Sequence, residues 1–165
     1  MPWRTIPLTF LMNLDPLKLF RRSDFQDGEI VNLRVRYADT DTMGVVYHAN
    51  YFMYFESGRA ELIRNLWKPY AQMEREGILL PIIEAAARYL QAARYDDWLT
   101  VGTKVVYYTG ARLQLGYAIF GDSANAPIVI GSTAHCFMDQ NRNLRRMPGE
   151  LLKRLVTRQP SLIKL

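Results

Sequence analysis

The sequence predicts an α+β domain in which about five strands form a sheet covered by one buried aromatic helix. Three observations lead there. Residues 50–67 place Tyr51, Phe52, Phe55, Leu62, Ile63 and Leu66 at helical spacing over more than half the circumference, as in a helix buried on several sides. Segments 30–37, 78–89, 99–109, 111–120 and 127–139 alternate or run apolar between turn signals, as strands do. With 165 residues, 49% of them hydrophobic, the chain is long enough to bury a core as one domain.

In chain order, residues 1–28 are an extension with no clear period beyond a short helix over 16–22, with Asp15 as N-cap and Pro16 in the first turn. A single domain follows over 29–157, and 158–165 is a tail. In the first strand, Leu33, Val35 and Tyr37 alternate with Asn32, Arg34 and Arg36. After the aromatic helix, Pro69 and Gly77 frame a second, short helix over 70–76. Of the four strands that come next, the middle two are separated only by Gly110. Leu113, Leu115, Tyr117 and Ile119 share one face of their strand, with Arg112 and Gln114 on the other, so this sheet needs a cover. Pro148 then opens a helix over 149–156 with cations near its end, where the helix dipole favours them.

Composition excludes several classes. A single cysteine, Cys136, lies within an apolar run, so no internal disulfide is possible and no metal cluster is expected; a reducing, cytoplasmic setting fits best. The formal charge of +5 is concentrated in 142–165, which holds seven Lys/Arg against one Glu. Such a segment is either a solvated helix face or a contact for a phosphorylated small ligand. No motif for nucleic-acid binding accompanies it. No apolar run approaches the ~18 residues of a membrane-spanning helix.

The polar groups able to do chemistry gather at 37–61, where a strand ends at two acids, passes a glycine and enters the aromatic helix. Asp39 and Asp41 leave the strand, Gly44 permits the turn, and His48 and Asn50 stand where the helix begins. A helix start exposes unpaired N–H groups and the positive end of the peptide dipoles, which suits an oxygen that becomes negative. Other polar residues have plainer readings. Asp39 bonds backbone within its turn, Glu56 and Arg59 form a helix pair, His135 is a satisfied structural histidine, and Cys136 fills the core. Ser57 lacks a G-x-S-x-G context, and Met43 stands at a ligand position of the calcium loop that D-x-D-x-x-G suggests.

The words R-Y-A-D-T-D-T-M-G-V-V-Y-H-A-N-Y-F-x-Y-F-E closely resemble the signature of the 4-hydroxybenzoyl-CoA thioesterase-like, or YbgC-type, acyl-CoA thioesterases. A-R-Y-D-D-W-L-T-V at 93–101 and R-R-M-P at 145–148 are also similar to that family, so the resemblance covers roughly residues 30–155. It implies the hotdog fold, a curved antiparallel sheet wrapped around a central helix, and hydrolysis of a thioester to free acid and CoA. Asp41 falls on the catalytic carboxylate, acting as nucleophile or general base, and His48 on the oxyanion position, where its backbone N–H polarises the carbonyl. Tyr47 and Asn50 flank the site as contacts or loop support. CoA would be part of the substrate, with no separate cofactor and no metal. Its phosphates call for basic side chains, with Arg142, Arg145 and Arg146 as candidates and Arg94 and Arg112 as weaker ones. In this fold sites usually lie between subunits, so a homodimer or homotetramer is expected. Acyl carrier protein remains open as the carrier in place of CoA. The main alternative is a non-catalytic hotdog protein that binds acyl-CoA or acyl carrier protein; a hotdog dehydratase would want a different His and acid spacing.

Overall fold

The computed structural model of the protein describes residues 20–158. Most of the helix expected over 16–22 lies outside them, as does the tail beyond Arg158. Five antiparallel strands, β1 (Ile30–Arg34), β2 (Ile82–Tyr89), β3 (Trp98–Tyr108), β4 (Arg112–Phe120) and β5 (Val129–Cys136), form one sheet in the order β1-β3-β4-β5-β2. The helices are α1 (Asn50–Leu66), α2 (Tyr70–Arg75) and α3 (Gly149–Arg158). The fold is the hotdog arrangement, with α1 lying across β1, β3 and β4.

Strand and helix identities match the sequence reading, and several bounds are corrected. The first strand ends at Arg34, and residues 37–39 form a 3-10 turn because the Asp39 side chain takes the Arg36 N–H at 3.0 Å. Val35 is buried as expected, but Tyr37 is 79% exposed. β2 starts at Ile82, since Pro81 has no N–H for a ladder. At Met138 only isolated bridges to Leu79 and Leu144 continue β5. The last helix reaches Arg158, beyond the expected 156.

One sheet face holds the main core. Leu113, Leu115, Tyr117 and Ile119 are fully buried beneath α1, whose Phe55 stacks on Tyr117 with centroids 4.5 Å apart. The Tyr117 hydroxyl bonds Thr133 Oγ1 at 2.6 Å, and Thr133 Oγ1 bonds His135 Nε2 at 2.7 Å. Burial pushes the His135 pKa down to about 4, so its ring is neutral at pH 7 and belongs to the core. Arg59 is buried, pairs with Glu56 and lies 5.4 Å from the Tyr70 ring centroid.

The outer face is covered by the chain before β1. Phe20 and Phe25 stack on each other at 5.7 Å and pack with Ala118, Phe120 and Ile130. Gly102 and Gly116 make the slots for these rings: a Cβ on Gly102 would come within 2.6 Å of Phe25, and one on Gly116 within 3.0 Å of Phe20. Arg22 donates to the Gly121 carbonyl at 2.5 Å and sits over the Phe120 ring. The described part of the extension is therefore packed as an outer layer of the domain. Truncating Phe25 to Ala should cost about 3 kcal/mol, as buried aromatic truncations do, and a denaturant titration would register it as an earlier midpoint.

Candidate active site

Residues 39–47 form a tight hairpin. Asp41 N–H donates to Val45 O and Gly44 N–H to Asp41 O, both at 2.9 Å, while Thr40 and Val46 form an antiparallel bridge. Gly44 has φ +71°, a left-handed conformation that a Cβ would strain. Asp41 Oδ1 accepts from the Met43 N–H at 2.8 Å, which fixes the carboxylate on the turn. The hairpin hangs on the loop after β2 through Val46 N–H to Ala93 O at 2.8 Å. Next to Ala93, the Arg94 guanidinium lies against the turn, 3.8 Å from where a Cβ on Gly44 would be.

Asp39 anchors the base of the hairpin. It is 3% exposed and accepts from Arg36 Nη2 at 2.7 Å and from the Tyr54 hydroxyl at 3.0 Å. The hydrogen bonds from Arg36 hold its carboxyl below the usual carboxylate range, against the effect of burial. Burial pushes the Tyr54 phenol up, and its bond to Asp39 adds to this. Asp39 thus takes the structural part foreseen for it. Its carbonyl receives both Tyr47 N–H at 2.9 Å and the Asn50 side-chain amide at 2.8 Å, so the hairpin and the start of α1 share one anchor.

The helix start is held by two further bonds. Asn50 N–H donates to Tyr47 O at 2.9 Å, and the Tyr89 hydroxyl donates to His48 O at 3.0 Å. The His48 ring is exposed, lies 4.3 Å from the Tyr47 ring and meets Tyr89 edge-on at 6.3 Å. Asp41 stands level with Val45, and Asp39 with Tyr47, so the hairpin carries the Asp41 turn at its tip and leads from its base through a turn at His48 and Ala49 into α1. No hydrogen bond joins the Asp41 carboxylate directly to His48 among those described.

The arginines lie elsewhere. Arg142, at φ +64°, turns the chain after β5; Arg145 donates to Gly77 O at 3.4 Å; Arg146 is exposed. Arg112 pairs with Cys136 at this same end of the sheet. Tyr89, at His48, pairs with Val129 at the opposite end of β5, ~20 Å away along the strand. Within one chain, the structure brings Asp41, His48, Tyr47, Asn50 and Arg94 together and leaves Arg142, Arg145, Arg146 and Arg112 apart from them. Sequence reasoning missed Tyr89, and only a pattern repeated at long range could have linked it to His48. It also passed over Tyr54, although this residue sits inside the motif.

Residues 35–155 match the model of the thioesterase-like superfamily. YneP of Bacillus subtilis is 36% identical over 104 residues, covering 63% of this chain and 75% of that protein. Acyl-CoA thioesterase YbgC of Haemophilus influenzae is 39% identical over 82 residues, 49% of this chain and 60% of that protein. Among solved structures, DHNA-CoA thioesterase from Staphylococcus aureus superposes with a TM-score of 0.71 at 26% identity, covering 83% of this chain and 97% of that one. No helix among the described residues is long and apolar enough to cross a membrane. With the hotdog sheet, the acid-bearing hairpin and these likenesses in place, the chain belongs to the thioesterase-like superfamily, as a thioester hydrolase of the YbgC type.

Proposed function

We propose that the protein is an acyl-CoA thioesterase in which Asp41 attacks or activates water at the thioester carbonyl and the His48 N–H receives the developing oxyanion. The observation that carries this reading is the hairpin that ties the Asp41 turn to the start of α1 through Asp39. Several features support it. Asn50 N–H holds the Tyr47 carbonyl, and in a trans peptide the His48 N–H then points the opposite way, away from the helix. The hairpin register, with Asp41 level with Val45 and Asp39 with Tyr47, fixes the Asp41 turn relative to that N–H.

As general base, Asp41 takes a proton from water, the oxygen bonds to the carbonyl carbon, and the C–S bond breaks to release the thiolate. As nucleophile, its oxygen bonds to that carbon, the thiolate leaves, and water opens the mixed anhydride. After a single turnover in ¹⁸O-labelled water, label in Asp41 identifies the second route with water opening the anhydride at the aspartyl carbon, whereas opening at the acyl carbon puts the label in the released acid, as the first route does. The test of the function itself is thiol release across acyl-CoA chain lengths, aliphatic and aromatic, with Asp41→Asn as control. Absence of release from every thioester, with acyl-CoA or acyl carrier protein bound, would favour the non-catalytic reading instead.

The site is placed between subunits in this proposal. β2 is an edge strand whose Ile82, Ile83 and Tyr89 are exposed, and an exposed apolar edge is a template for pairing with a second copy. Arg142, Arg145 and Arg146, remote from Asp41 in their own chain, then serve the phosphates of a CoA bound to the partner's site. Light scattering should give at least a dimer, and a proline at Glu84 in β2 should raise the monomer fraction. The lone, buried Cys136 accords with a reducing cytoplasm.

A further inference from the structure

We propose that Tyr89, at the end of the edge strand β2, is a positioning residue that steadies the oxyanion donor by holding the adjoining peptide, His48–Ala49, at the start of α1. This rests on the reading of His48 N–H as the oxyanion donor. Two successive peptide units make that junction. The first, between Tyr47 and His48, has its carbonyl held by Asn50 N–H. The second, between His48 and Ala49, precedes the first helical residue, and its carbonyl is held by the Tyr89 hydroxyl at 3.0 Å. Fixing both carbonyls fixes the two N–H groups on the other sides of those planes, those of His48 and Ala49.

Tyr89 is itself well rooted. The two residues after it, Leu90 and Gln91, donate their N–H groups to Ile128 O at 2.8 and 3.0 Å. Its ring packs on Tyr51 at 5.5 Å, and Tyr51 receives the Ala93 N–H at 3.2 Å from the loop that carries the Asp41 hairpin. The phenol therefore connects the sheet edge, the helix start and the loop behind Asp41. A fixed dipole at the developing charge costs no reorganisation during the reaction, whereas a loosened one must be reoriented. A misplacement of about 1 Å can cost as much as ~10²-fold in rate.

The test is Tyr89→Phe, which keeps the ring and removes the donor, in the full chain. The expected result is a fall in kcat of about tenfold or more with KM within about twofold and an unchanged melting temperature. Tyr89→Leu, which also removes the ring, should lower kcat further. A merely structural role would move the melting temperature or KM instead, and either pattern overturns the proposal. So does a kcat for Tyr89→Phe within twofold of wild type. Asp41→Asn, assayed in parallel, separates the two layers. Inactive Asp41→Asn with unaffected Tyr89→Phe overturns the role of Tyr89 alone, and fully active Asp41→Asn overturns the proposed function and this inference with it.

Discussion

Asp41→Asn is expected to leave the fold and CoA binding intact while thioester hydrolysis falls by ~10²–10⁴-fold, the usual range for loss of a positioned acid or base. The substitution is nearly isosteric. Asparagine keeps an Oδ1 that can accept the Met43 N–H, so the turn that orients residue 41 survives. It loses the charge and basicity needed to attack the carbonyl or take a proton from water. The hairpin bonds around it are backbone bonds and do not depend on the side chain. A circular dichroism melt unchanged from wild type, beside a thiol-release rate close to background, is the anticipated pair of results. Wild-type turnover in a correctly folded variant would remove Asp41 from the mechanism.

Asp39→Ala should act two residues away through stability. The Tyr54 hydroxyl, on the buried side of α1, loses its acceptor, and an unsatisfied buried hydroxyl costs about 1–3 kcal/mol. Arg36 is mostly exposed, so the loss of its ion pair adds little. A fall of about 2 kcal/mol lowers Tm by roughly 4–8 °C for a domain of this size. Because the carboxyl is held below its ordinary value of 3.8, its contribution is fully present above that value and fades as pH falls through the lower folded-state pKa. The difference in Tm between wild type and variant should therefore be largest at pH 7 and narrow as pH falls below 3.8, since a protonated Asp39 keeps only the part of its role that a neutral acceptor can fill. Equal melting temperatures at pH 7 would mean that Asp39 does not anchor the hairpin. Activity should fall too, since Asp39 holds the strand that presents Asp41.

The site was legible only where chemistry and sequence proximity coincide. Asp39, Asp41, Gly44, His48 and Asn50 lie within one short word, and turn and helix-start preferences act over a few residues. Tyr89 is far along the chain from His48, and nothing in its own strand distinguishes it from any aromatic on a half-buried edge. Arg142, Arg145 and Arg146 carried the right charge for phosphates, but charge says nothing of which end of a sheet it occupies. The antiparallel pairing of β5 with β2 put them at the end away from His48.

The sequence by itself determined the element types, the apolar face of β4 and the acid-to-helix junction, because each follows from spacings of two or 3.6 residues and from local turn chemistry. Tertiary structure alone decided the strand order, which places β2 at the edge, and the burial of Phe20 and Phe25 in slots left by Gly102 and Gly116. It alone decided, too, that a phenol from the sheet edge holds the carbonyl of His48. Local preferences are energies of neighbouring residues, whereas these outcomes depend on which distant surfaces meet when the sheet closes over α1.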